Sequence, residues 1–233
     1  MQRIPWFFVL IWTILTGCDL DKFTGYKYDS EPLPTSAKIY GTITNKFTGN
    51  ALYRAQIRIE NQAAFTDENG EYIFYYHWSE DNLRDKPLPV RIGADKFHAQ
   101  DTTVIVYPQT RLDVRLEYGA PIIKRSALVG EICQVIVFDY QGAEDITTVT
   151  AYFLYRRPGE RPPSLKIEKS LTQIKTDSVY YGYYQTLVEA NIEGYGDLIN
   201  SYYLQARDKD LFTDSTSSAA VGVDTLLFLP VFH

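Results

Sequence analysis

The sequence predicts an all-β fold: two consecutive β-sandwiches behind a short apolar leader. Three observations predict it. Apolar and polar residues alternate with period two in run after run, the mark of strands with one buried face. Turn residues fall between the runs at short intervals. The aromatic content, 19 Tyr and 12 Phe against one Met, suits sheets better than helices.

Composition narrows the function classes. The 233 residues give room for one large domain or two small ones. Hydrophobic residues at 45% and charged residues at 22% exclude wholesale disorder. The chain has 23 Lys+Arg against 29 Asp+Glu, a formal charge of −6, which argues against a nucleic-acid binder. Two Cys and three His leave little material for a zinc or Cys-His catalytic site. No G-x-S-x-G, H-E-x-x-H, P-loop or dinucleotide fingerprint occurs. The expectation is a protein that is not an enzyme and needs no cofactor.

The elements follow in order. Residues 1–18 read MQRIPWFFVLIWTILTGC. Arg3 and the amino terminus form a positive n-region, and Ile4 to Leu15 carry no charge. That run of about 12 residues would be roughly 18 Å long as a helix. A bilayer core is about 30 Å thick, so the run fits the h-region of a signal peptide. Leu15-Thr16-Gly17-Cys18 resembles a bacterial lipobox. The resemblance implies a signal peptide over 1–17, cleaved before Cys18, and acylation of Cys18 as the membrane anchor. A plain secretory signal or an uncleaved anchor are the alternatives. Residues 18–35 are polar, with Pro32 and Pro34, and read as the lipidated Cys and a flexible tether. With Cys18 acylated, Cys133 is the one remaining thiol and reads as a small buried strand residue.

From residue 36 the alternation begins. Ile39, Gly41 and Ile43 alternate with Tyr40, Thr42 and Thr44; Leu112, Val114 and Leu116 alternate with Arg111, Asp113 and Arg115. Strands are expected near 37–44, 54–60, 62–66, 71–76, 88–94, 101–106 and 110–117. Gly41-Thr-Ile-Thr-Asn, Thr48-Gly49-Asn50-Ala51-Leu52, Ala55-Gln-Ile-Arg-Ile59 and Thr66-Asp67-Glu68-Asn69-Gly70-Glu71-Tyr72-Ile-Phe74 run in the order of the carboxypeptidase regulatory-like domain. This stretch, 36–118, resembles that family, which implies a prealbumin-like (transthyretin-like) sandwich without catalytic activity. Lys96 departs from the pattern, standing where the family usually has Gly.

In 120–233, strands are expected at 124–129, 131–139, 147–156, 165–171, 180–190, 199–208 and 221–229. Val137-Phe-Asp-Tyr-Gln-Gly-Ala-Glu-Asp-Ile-Thr-Thr-Val-Thr-Ala-Tyr-Phe-Leu-Tyr155, Tyr180-Tyr-Gly-Tyr-Tyr184 and Asn200-Ser-Tyr-Tyr-Leu-Gln-Ala-Arg-Asp208 resemble an Ig-like, fibronectin type III-like module. The resemblance implies a second β-sandwich. Both sandwiches are of Ig-like or prealbumin-like type.

Two groups of side chains are candidates for function. Asp208, Asp210 and Asp214, with Asp139 and Asp145 near the same end of the second sandwich, are candidates for calcium. Solvated surface turns are the competing reading, and no metal is expected. Asp67-Glu-Asn-Gly70 reads as a hairpin turn. The tyrosine-rich runs supply the binding candidates Tyr75, Trp78, Tyr181, Tyr183 and Tyr203. Consecutive strand residues point to opposite faces, so such runs must expose rings or bury them between domains. Exposed Tyr and Trp suit protein interfaces and sugar stacking. The expected function is a non-catalytic structural or protein-binding module in the bacterial cell envelope, facing periplasm or exterior. It meets the membrane through Cys18 and an envelope protein as partner. The alternative is a carbohydrate-binding surface lipoprotein that holds a glycan on exposed Tyr/Trp. Nucleic acid is not an expected partner.

Overall fold

The computed structural model describes residues 36–77, 87–161, 163 and 165–230. The first strand, Ser36–Asn45 (β1), buries every second residue, with Ala37, Ile39, Gly41 and Ile43 facing inward. Its sheet runs Glu71–His77 (β4), β1, Gln109–Arg111 (β7), with Val114–Leu116 (β8) also paired to β1. A facing sheet runs Gln62–Phe65 (β3), Gln56–Ile59 (β2), Leu88–Gly93 (β5), Gln100–Val104 (β6). Between them lies one apolar core that includes Ile39, Ile43, Ile57, Ile59, Tyr76 and Ile92.

The single strand expected over 110–117 is two strands. β7 and β8 both run parallel to β1 in one register, Lys38 with Gln109 and Ile43 with Val114. The ladder is interrupted at Leu112 and Asp113. There the Asp113 carboxylate takes over as acceptor, receiving Thr42 N at 2.9 Å and Thr42 Oγ1 at 3.1 Å. Burial opposes its charge, but these bonds and Arg111 hold the Asp113 carboxyl below its ordinary pKa.

The turn motif forms as the sequence implies. Asp67 Oδ1 accepts from the backbone N–H of Asn69 and of Glu71, both at 2.9 Å. Gly70 adopts φ +73°, a conformation open to glycine without cost. Lys96 also adopts a left-handed conformation, φ +62°. The turn is therefore kept without the usual glycine, and the lysine side chain is employed elsewhere, as described below.

The second sandwich has two five-stranded sheets. One contains Thr172–Ser178 (β13), Tyr181–Leu187 (β14), Ile132–Phe138 (β10), Ile122–Val129 (β9) and Gly222–Val223 (β18), in that order. The other contains Leu165–Ser170 (β12), Ile146–Arg156 (β11), Gly196–Asp208 (β16) and Asn191–Ile192 (β15), with Thr213–Ser217 (β17) also on β16. Cys133, Val135, Phe153, Tyr155, Tyr202 and Leu204 belong to its core. The described residues from Ala37 onward form one compact unit that holds both cores.

Two expectations are corrected here. The polar stretch Thr172–Ser178 is a strand, at the end of its sheet beside β14. Only Ile174 in it is apolar, so alternation did not reveal it. The apolar run 221–229 is not a strand beyond Gly222–Val223. It is a strap across β10 whose backbone is held by the Gln134 side chain. Gln134 Oε1 accepts from Leu227 N at 2.9 Å and Phe228 N at 3.3 Å, and Gln134 Nε2 donates to Phe228 O at 3.0 Å. The amide thus stands in for a neighbouring strand's backbone.

The abundant tyrosines are used at the margins of both cores. Tyr72 OH donates to Leu112 O at 2.7 Å, Tyr155 OH to Glu189 O at 2.7 Å, and Tyr202 OH to Ser126 Oγ at 2.9 Å. Each ring is buried while its hydroxyl finds a partner, which avoids the cost of an unpaired polar group. Cys133 is buried and unpaired, and burial pushes its thiol up to about 12, so it stays protonated and inert at neutral pH.

Candidate functional sites

The tyrosine candidates do not form one platform. Tyr75 lies on the outer face of β4 in the first sandwich and is 60% exposed. Trp78 lies outside the described residues. Tyr181 and Tyr183 share one face of β14. The Tyr181 ring packs edge-on against Phe138, centroids 5.0 Å apart, and Tyr183 is half-buried against Phe228. Tyr203 lies on β16 in the other sheet, 51% exposed.

Tyr203 has a neighbour that the tyrosine-run argument overlooked. Tyr152 is its direct cross-strand partner, β11 to β16. Lys166 sits 4.2 Å from the centroid of the Tyr152 ring, and Tyr152 OH contacts Gln205 Oε1 at 3.4 Å. Ser215, Thr216 and Ser217 of β17 complete an open groove of about 490 Å³ over this pair. The signal was in the sequence: Tyr152 alternates with the inward residues Ala151 and Phe153.

A second surface lies on the first sandwich. Ile73 and Tyr75 point outward from β4, and Phe65 from β3, each about 60% exposed. β4 and β3 are edge strands of the two facing sheets. They meet where Gln62 Nε2 donates to His77 O and His77 N donates to Gln62 Oε1, both at 3.1 Å.

The acidic candidates separate into two groups. Asp214 pairs with Lys96 Nζ at 3.0 Å and accepts from Ile123 N at 3.1 Å. This is where the left-handed lysine spends its charge. Asp210 lies 3.8 Å from His98 Nδ1, and His98 packs edge-on against Phe212. Asp208 instead faces Asp139 and Asp145, with one carboxylate oxygen of each within 4.8 Å of the others.

Both loops of this end, 139–145 and 209–212, also touch the first sandwich. The Tyr140 ring stacks on Phe47 at 4.1 Å and 4°. Gln141 Nε2 donates to Tyr118 O at 2.8 Å. The junction is thus aromatic, but built from Phe47, Phe97, Tyr118, Tyr140 and Phe212 rather than from the consecutive tyrosine runs.

Burial raises the Asp139 carboxyl to about 6, helped by the charges of Asp145 and Asp208 and opposed by the N–H groups of Gln141 and Gly142. Asp208 is raised for the same reasons, with Asp145 and Asp210 as the nearby charges. The sign follows from linkage. An unfolded Asp titrates near 3.9, so the folded state holds this proton more tightly. The cluster therefore destabilises the ion-free protein above pH 6, and the penalty is relieved as pH falls from about 6 toward 4. Urea unfolding at pH 7.5 and pH 5 should show Asp139→Asn flattening this dependence, by on the order of 2 kcal/mol. An unchanged pH profile in the variant would refute the assignment.

No family model matches the chain, and no curated protein matches it. Similar solved structures include the major pilin subunit of Bacillus cereus, with 8% identity, 78% of this chain and 67% of that chain covered, and a TM-score of 0.40. A DUF3823 family protein from Parabacteroides merdae has 13% identity, coverage of 76% and 91%, and a TM-score of 0.30. Another from Bacteroides ovatus has 9% identity, coverage of 78% and 97%, and a TM-score of 0.30. The protein class is defined by the fold on its own: all-β, with two consecutive sandwiches. Among the described residues, no helix is long and apolar enough to cross a membrane.

Proposed function

We propose that the protein is a non-catalytic lipoprotein of the bacterial cell envelope, anchored through acylated Cys18, that serves as a structural or protein-binding module. In this reading 1–17 is the cleaved signal peptide, 18–35 the tether, 36–118 a carboxypeptidase regulatory-like domain, and 120–233 an Ig-like domain. The observation that carries the binding role is the exposed set Phe65, Ile73 and Tyr75 on two adjoining edge strands. Large apolar side chains at a sheet edge invite association, and an envelope protein is the partner of fitting chemistry.

Two experiments test the reading. Cys18→Ser should abolish acylation and shift the protein from the membrane to the soluble fraction; membrane retention with an uncleaved leader would defeat the lipoprotein assignment. The double variant Ile73→Ser with Tyr75→Ser should keep its melting temperature, since both side chains are exposed. It should lose at least tenfold of any partner crosslinked to the native protein in its envelope. Undiminished crosslinking would exclude this edge.

A second reading rests on the Tyr152–Tyr203 groove. Two neighbouring aromatic rings flanked by Lys166, Gln205 and three hydroxyl residues provide the stacking floor and polar rim that a glycan uses. Glycan-array binding lost in Tyr203→Ala would favour it.

A further inference from the structure

The acidic cluster has a feature that charge crowding does not account for. Asp139 and Asp208 are 0% and 1% exposed, so neither carboxylate is solvated. Each uses Oδ1 for a backbone bond, Asp139 from Gln141 N and Asp208 from Phe212 N, both at 2.8 Å. The other oxygen of each, Oδ2, is buried and has no hydrogen-bond partner. A buried carboxylate oxygen without a partner is costly, and two beside a third acid are costlier still. A cation, Lys209 Nζ, is 3.7 Å from Asp145 Oδ1 on an exposed side chain.

The spacing fits a shared ion. Calcium–oxygen distances are about 2.3–2.6 Å, so two oxygens on one ion lie at most about 5 Å apart. The three carboxylates already offer atoms within 4.8 Å of one another. All donors are hard oxygens, the preference of Ca²⁺ rather than of zinc or copper. The scaffold is also set. Asp139 follows β10, Asp145 ends the short turn Ala143–Asp145, and Asp208 ends β16. Lys209 N donates to Asp145 O at 3.0 Å, which ties two of the loops together before any ion arrives.

We propose that Asp139, Asp145 and Asp208 bind one Ca²⁺ ion, and that the ion fastens the loops joining the two sandwiches. Tyr140, beside Asp139, stacks on Phe47, and Phe212, held by Asp208, packs on His98. Fixing the three carboxylates therefore fixes the contacts of this face with the first sandwich. The three acids and Lys209 leave an excess of two negative charges, which one divalent ion neutralises. The proposal departs from the expectation that no metal binds here, and it does not depend on the partner or anchor assigned above.

The test is thermal unfolding of the full chain with CaCl₂ or with EGTA. Calcium at a hundredfold excess over its Kd should raise Tm by about 5–10 °C. Asp208→Asn should abolish that rise and melt higher than the native protein in EGTA, because it removes a repelling charge. Asp210→Asn, outside the triad, should keep the full rise. Should Asp208→Asn fail to fold, Asp145→Asn replaces it with the same expectation. Terbium luminescence on the folded proteins gives a readout independent of stability, with emission bound by the native chain and lost in the triad variant. Equal Tm in CaCl₂ and EGTA overturns the proposal, as does a calcium rise that survives in the triad variant. A response to MgCl₂ as large as that to CaCl₂ overturns the choice of ion.

Discussion

Gly41→Ala should destabilise the protein by about 3–4 kcal/mol, although it adds one methyl group to a strand. A Cβ at this position would collide with the carbonyl oxygen of Leu112 and come within 2.7 Å of its carbonyl carbon. Both obstacles are backbone, and backbone cannot swing aside as a side-chain tip can. The same carbonyl accepts the buried Tyr72 hydroxyl at 2.7 Å, so moving it strands that hydroxyl. It also disturbs the interruption at which Asp113 caps Thr42. Gly49→Ala is the control. Gly49 has φ +73° but open space around its Cβ position, so only about 1 kcal/mol is expected there. Urea unfolding of the two variants gives the comparison. Equal losses would mean that the close approach at Leu112 is relieved without cost.

Gln134→Leu should cost about 2–4 kcal/mol while keeping the side chain's volume. Four hydrogen bonds go: two accepted from Leu227 and Phe228, one given to Phe228 O, and one given to Gln185 Oε1 at 3.2 Å. Leucine removes the partner of the Leu227 and Phe228 backbone groups beside a fully buried site. The strap over β10 has an escape, because it can lift away and let water satisfy its backbone. The loss should therefore be local before it is global. Amide exchange should accelerate at Leu227 and Phe228 ahead of β10 and β14, and limited proteolysis should trim the chain beyond Val223. Gln134→Glu should resemble the leucine variant at neutral pH, since a carboxylate cannot donate to Phe228 O. Native-like protection of the strap in both variants would show that the apolar contacts alone hold it.

The strands with a buried face were legible because alternation is a direct trace of one-sided burial. β1, β4 and β11 follow their patterns closely, and Asn69-Gly70 announces its turn. Thr172–Ser178 was not legible, because its one apolar residue, Ile174, gives no alternation to read. The 221–229 run misled for the opposite reason. Its apolar residues look like those of a strand, yet Leu226 and Leu229 stay exposed and Gln134 takes the place of a ladder. The junction was partly legible. Sequence required some aromatics to be exposed or shared between domains, but the rings at the joint are isolated ones brought together by tertiary structure. The acidic end shows the same limit. Asp208 and Asp214 are six positions apart, yet one turns into a buried triad and the other reaches Lys96. Hairpin geometry decides that, and local sequence carries little of it.

The parallel pairing of β1 with β7 and β8 has a mechanical consequence. Two neighbouring strands that run the same way have their beginnings at one end and their finishes at the other. The chain thus enters the first sandwich near Ala37 at one pole and leaves toward Tyr118 at the opposite pole. A pull between those points slides the strands along each other. Every rung from Lys38 to Asn45 is then strained at once, whereas antiparallel ends would part like a zip, one rung after another. Rupture under load is governed by the unfolding rate rather than by equilibrium stability. A module of this topology can hold tension out of proportion to its free energy of folding, a useful property for anything moored at one end and gripped at the other.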